Sequence, residues 1–172
     1  MAKYEEGHLR CVVREGYRVL LRGEVRLCFP NGCQVIRSYY ERVGEICLGW
    51  AERMEGERLR EQYLGLASNG ERATFPMARY TLTCEPVWEV GPHVGFLCRS
   101  ALSERGNARK SCLAQVWDTE EQALLPPRQV RELLAKTDGV KRRILPCGEA
   151  VSEEEILQYF GNPTFVSRFG SV

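Results

Sequence analysis

Residues 78–118 read ARYTLTCEPVWEV, then GP, HVGFLCRSAL, SERGN and ARKSCLAQVWD. In the first run Tyr80, Leu82 and Cys84 alternate with Thr81 and Thr83, the two-residue period of a strand with one buried face. Val94, Phe96 and Cys98 repeat the pattern between His93 and Leu102. Between Ala108 and Asp118 the faces divide into Cys112, Ala114 and Val116 against Leu113, Gln115 and Trp117. Gly91-Pro92 and Ser103–Asn107 supply the turns. Three long strands joined by short turns predict an antiparallel meander, and Pro86 predicts a bulge or an edge position in the first of them.

Toward the N-terminus, residues 9–29 predict a hairpin turning at Glu15-Gly16. In its second strand Val25, Leu27 and Phe29 take one face and Glu24, Arg26 and Cys28 the other, until Pro30-Asn31-Gly32 ends the run. From Gln34 to about Leu66 the period lengthens. Ile36, Tyr39, Tyr40, Val43, Ile46, Cys47, Trp50 and Met54 recur at three- and four-residue steps, the apolar stripe of an amphipathic helix. That helix is expected to lie across the sheet, with Ile46 and Trp50 buried and a break near Gly56. Ser68-Asn69-Gly70-Glu71 reads as a turn.

Toward the C-terminus, Pro126-Pro127 opens a helix running to about Lys136. Ser152 and Glu155 form a capping box for a helix through about Phe160, stopped by Asn162-Pro163. Strands grouped together rather than alternating with helices define an α+β fold: an antiparallel β-meander sheet of about five strands with one long helix packed on a face. Residues 1–172 are read as a single domain, with the hairpin and long helix in 10–66 and the meander and C-terminal helices in 67–172.

Composition sets limits on function. Apolar residues make up 44% and charged residues 27% of the 172, a globular balance. The formal net charge of +1 gives no general attraction to nucleic acid or anionic membranes, so either would need a local patch. Charges from Glu5 to Glu15 interrupt any secretory leader, and no stretch is apolar enough to span a membrane, which points to the cytoplasm. In that compartment the eight cysteines are expected as free thiols.

The stock of catalytic groups is thin. There are two histidines, His8 and His93, and two aspartates, Asp118 and Asp138. Cys28 and Cys33 could be half of a zinc site but have no second pair at metal-ligand spacing. His93 and Cys98 stand five apart on one strand and therefore point to opposite faces. Glycine loops for phosphate are absent, so neither metal nor cofactor is expected. The residues singled out for binding are Glu104, Arg105, Asn107, Arg109 and Lys110, a dense polar set around one meander turn.

Two motifs bear a family resemblance. One is Phe29-Pro30 before the long helix; the other is Val116-Trp117-Asp118 followed by Leu125 before the Pro126 helix. With the element order, over roughly residues 10–136, they resemble the bacterial domain-of-unknown-function 3298 group, similar to the C-terminal domain of RsiV-type anti-sigma factors. The resemblance implies a ligand-sensing domain; members are mostly extracytoplasmic, some binding lysozyme or accompanying a cell-wall deacetylase. Where that group carries a histidine-bearing loop, this chain has Ser103–Ala108 with no histidine, so no functional residue carries over and a changed ligand is implied. The resulting expectation is a non-catalytic protein-binding or regulatory module. The alternatives are a small thiol-dependent hydrolase using Cys98 or Cys33, or weak RNA binding through Arg105–Lys110 and Lys141–Arg143.

Overall fold

The computed structural model describes residues 4–136, 143–144 and 152–161. Strands β1 (Tyr4–Glu15) and β2 (Arg18–Pro30) form the hairpin. Helix α1 (Gln34–Trp50), a π-helical segment (Ala51–Glu55) and helix α2 (Gly56–Leu64) run on without a break, followed by the short α3 (Asn69–Ala73). The meander is β3 (Ala78–Val90), β4 (His93–Glu104) and β5 (Asn107–Asp118), extended by the two-residue β6 (Ala123–Leu124). Helix α4 (Pro127–Lys136), β7 (Arg143–Ile144) and α5 (Glu153–Gly161) complete the described chain.

The α+β class holds, but the sheet is larger than expected and not wholly antiparallel. β1 to β6 lie side by side in chain order, and β7 pairs with β3. β2 and β3 are parallel, from Leu21 opposite Ala78 to Leu27 opposite Cys84. The reason is the connection between them. A hairpin turn reverses the chain, whereas a helical crossover carries it back to the starting end of the sheet, and the next strand must then run parallel. The long helix forces the one parallel pair. Beyond Cys84 the edge of β3 is taken by β7, at Trp88 and Glu89. The register of β3 on β4 slips between Pro86 and Trp88, so Pro86 marks a bulge, in a strand that is central rather than at an edge.

α1 seats on the sheet along Ile36, Tyr40, Gly44 and Leu48, a four-residue step. Tyr39, Val43, Cys47 and Trp50 pack at the flanks. Ile46 is 60% exposed, as is Met54, so the expected burial of Ile46 is wrong and Trp50 is half-buried. Gly44 makes the difference. A Cβ there would stand 3.0 Å from Val25 and 3.1 Å from Leu9, so its bare backbone lets the helix axis come down onto the hairpin. The polar centre of this layer is satisfied internally: Tyr40 donates to Gln115 and accepts from the Trp117 indole at 2.8 Å. Burial pushes the Tyr40 hydroxyl well above its ordinary range.

The π segment stands where a break near Gly56 was expected, adding a residue to the turn without ending the helix. Ser68-Asn69-Gly70-Glu71 is the start of α3 rather than a plain turn. Ser68 accepts from the Glu71 amide and Glu71 accepts from the Ser68 amide, a capping box the sequence already contained. A second box, Ser152 with Glu155, starts α5 as expected. Asn162-Pro163, Lys141, Arg142 and Cys147 lie outside the described residues.

α4 and α5 cover one end of the sheet's second face. Trp88, Leu97, Val116, Val130, Leu134, Ile156 and Phe160 form a core separate from the one beneath α1. Trp88 lies flat over Gly95, where any Cβ would overlap the indole. Gly95→Ala is therefore expected to cost about 1–3 kcal/mol through overpacking, read as a lower urea midpoint with tryptophan fluorescence as the probe.

Candidate functional site

Strand alternation sorts the turn residues singled out by sequence onto two sides of the sheet. Arg105 and Gly106, at φ 50° and 78°, make the tight turn between β4 and β5, with Glu104 opposite Asn107. Glu104 and Arg109 point to the helix side. There Arg58 of α2 donates both terminal nitrogens to Glu104, at 3.2 and 2.6 Å. The Arg58 Nε donates to Glu55 at 2.7 Å, and Arg109 donates to the other Glu55 oxygen at 3.0 Å. Glu55 is buried and closes the π segment, so the extra residue of that turn aims a carboxylate between two guanidinium groups. Arg105 lays its guanidinium over the Phe75 ring, 5.5 Å from the centroid. Three of the five residues thus fasten the hairpin tip to the crossover, and exposed Asn107 adds to the rim.

Lys110 points the other way, to the half of the second sheet face that α4 and α5 leave uncovered. Register places the side chains of this face in rows across five strands. One row is Val12, Arg22, Arg79, Ser103 and Ala108; the next is Arg10, Glu24, Thr81, Ala101 and Lys110. A third is His8, Arg26, Thr83, Arg99 and Cys112. His8, Arg26, Thr81, Thr83, Arg99, Ala101, Lys110 and Cys112 of the second and third rows, with Glu6, Cys28 and Glu85, line a trough of about 720 Å³ that ends against Gln158 and Tyr159 of α5; the first row, Arg10 and Glu24 stand on the same face beside it. At its floor buried Glu85 accepts from Arg99 at 2.9 Å, and toward the β1 edge Glu24 accepts from Arg26 at 3.2 Å.

Burial and neighbouring groups hold five of the described thiols above the ordinary range. Cys98 is buried directly opposite Cys84, and its hydrogen bond with that thiol, together with burial, pushes it well above the ordinary thiol range. Burial raises Cys33, Cys11 and Cys47 as well. Cys112, in the trough, is pushed up to about 11 by burial, against the pull of Arg99. All seven described cysteines are free. His93 lies 3.6 Å from Asp118, whose other oxygen accepts from the Glu120 and Glu121 amides and so caps the turn after β5. Among the described residues no group of three or more His, Cys, Asp or Glu could hold a metal ion, and no helix is long and apolar enough to cross a membrane.

The trough was not singled out from sequence. Its signal was present as the polar half of the alternation, Glu24 and Arg26 in β2 and Thr81 and Thr83 in β3, but those halves become one surface only when β2 and β3 are known to be neighbours.

No family model matches the chain, and no curated protein matches it. Among solved structures the chain is similar to a DUF3298 family protein from Pseudomonas aeruginosa PAO1, at 12% identity and TM-score 0.45, over 78% of this chain and 62% of that one. It is also similar to a DUF3298 family member from Bacteroides fragilis NCTC 9343, at 7% identity and TM-score 0.38, over 90% of this chain and 72% of that one. The chain therefore spans less than two thirds of the first of these, and no residue role passes from either.

Arg58 holds the Glu104 carboxyl below its usual range. A carboxylate with a depressed folded-state pKa adds stability above its unfolded value and gives it up as pH falls through the folded one. Stability is expected to decline on acidification below about pH 4.3, and Glu104→Gln, less stable at neutral pH, should show a shallower decline. Denaturation midpoints measured across that range check both.

Proposed function

We propose that this chain is a non-catalytic protein-binding module whose ligand seats on the open half of the sheet, from the β4–β5 tip through the trough to α5. The observation that carries this reading is the face itself: five strands wide, lined by charged and hydroxyl side chains, with the Arg99–Glu85 pair fixed at its floor. Small-molecule sites are mostly apolar and enclosed; a broad charged trough suits a polypeptide. Lys110 contributes to the face directly, while Glu104, Arg105, Asn107 and Arg109 form the rim, held in one position by Glu55 and Arg58. A pre-organised rim lowers the ordering cost of binding. The free thiols support action in the reducing cytoplasm.

The thiol-dependent hydrolase reading requires a thiolate near neutral pH. Native protein is expected to react slowly with iodoacetamide at pH 7 and faster as pH rises toward the Cys112 value of about 11; one rapidly alkylated cysteine at pH 7 would favour the hydrolase instead.

Thr81 is exposed in the middle of the face, so Thr81→Trp should obstruct it without touching either core. In quantitative affinity capture followed by direct titration of the captured protein, Thr81→Trp is expected to weaken binding about tenfold or more. Ile46→Glu, on the outer side of α1, should leave it unchanged. The converse result would move the binding surface to the helices and overturn the proposal.

A further inference from the structure

The open face carries a charge bias that the whole chain does not. Arg10, Arg22, Arg26, Arg79, Arg99 and Lys110 stand on it against Glu6, Glu24 and Glu85, while the chain as a whole has a net charge of only +1. Two of the three carboxylates are engaged: Glu85 accepts from Arg99, and Glu24 lies within 3.2 Å of Arg26 and 3.9 Å of Arg10. Arg22, Arg79 and Lys110 are the remainder. Arg22 and Arg79 sit directly opposite each other on the parallel strands β2 and β3, both exposed, and neither has a carboxylate partner among the described residues. Like charges placed opposite one another across a sheet are destabilising, so this pair costs stability unless an anion lies between the two groups.

We infer that the open face takes an acidic segment of a partner protein, laid in extended form over β2 and β3, with its carboxylates on Arg22, Arg79, Arg26 and Lys110. The inference rests on the binding-module reading above and names its ligand chemistry. Guanidinium groups match carboxylates in a two-pronged geometry. Arg22 and Arg26 are four residues apart on one strand, roughly 13 Å, the separation of acidic side chains four residues apart in an extended peptide. Thr81 and Thr83, between the basic rows, offer hydroxyl donors and acceptors.

Nucleic acid fits this face less well. Sequence-tolerant binding of single strands relies on aromatic platforms for the bases, and the central rows contain none, with Tyr159 of α5 only at the far end. Glu6 and Glu24 also interrupt any continuous track for phosphates along the β1 edge.

The test uses the full chain and a fluorescein-labelled, Glu-rich peptide followed by anisotropy, with a uridine oligonucleotide of the same charge as the competing ligand. Peptide binding is expected to be detectable and to weaken with added salt. Arg22→Gln combined with Arg79→Gln should weaken it about tenfold, with an unchanged circular dichroism spectrum. Arg42→Gln, exposed on α1, should have no effect. If the oligonucleotide binds more tightly than the peptide and loses affinity in the same double variant, the face reads phosphate and the proposal is overturned. Absence of peptide binding, or binding indifferent to Arg22 and Arg79, also overturns it. In those cases sensitivity of the captured partner to Thr81→Trp would leave the binding-module reading standing, whereas insensitivity there would remove both.

Discussion

The parallel contact between β2 and β3 governs the rest of the molecule. Without it the hairpin and the meander would be two small sheets, each with exposed edges that invite pairing with other chains. With it, β1 through β6 form one surface in chain order. Parallel neighbours need a crossover, and here the crossover is α1, the π segment, α2 and α3. The crossover thereby commits its seam of Ile36, Tyr40, Leu48, Ala51 and Leu59 to one face of the sheet, where it buries Val25, Leu27, Tyr80, Leu82 and Phe96. Among the described residues the second face carries α4 and α5, which cover only one end of it. The open trough follows from that asymmetry in cover.

The same crossover also determines how the meander tip is held. A regular helix through residues 51–55 would turn each following side chain by about 100° per residue, and the additional residue of a π turn shifts that phase. Glu55 ends the segment buried, bonded to Arg58 on its own helix and Arg109 on β5, while Arg58 reaches on to Glu104. A buried carboxylate between two cations is worth little as net stability, because desolvation offsets much of the attraction. Its consequence is positional: losing Arg58 would leave Glu104 without its partner and losing Arg109 would leave one Glu55 oxygen unbonded, so the pairs tie the tip to α2. The sheet face beside it inherits that rigidity.

The sequence made local structure readable and left pairing hidden. The alternation in residues 78–118 marks β3, β4 and β5 nearly to their ends, and Pro86 marks the bulge, because both are properties of a few consecutive residues. The capping box at Ser152 precedes a recognisable helical period, whereas the identical pattern at Ser68 reads as a turn, since five helical residues leave no period to recognise. On α1 apolar periodicity points the seam toward Ile46, because a helical wheel weights side chains by apolarity, and the residue that decides the seam, Gly44, has no side chain. The turn residues Glu104, Arg105 and Arg109 stand close together in the sequence. Their partners Glu55, Arg58 and Phe75 lie about thirty to fifty residues away, and only the fold brings them together.

The two halves of the second face differ in a way that bears on why one is covered and the other open. Under α4 and α5 the sheet presents Trp88, Gly95, Leu97, Ala114 and Val116, apolar groups whose exposure would be costly. Four to nine residues along the same strands it presents Arg79, Thr81, Thr83, Ala101 and Lys110, which are stable in water and gain nothing from an apolar cover. The boundary is drawn by buried Glu85 and by Arg99, which carries the polar character down to the floor beside the half-buried Cys112. A cover for the polar half must therefore bring its own charges, and complementary ones. Among the described residues no helix lies over that half, in keeping with the polar side chains the alternation places there.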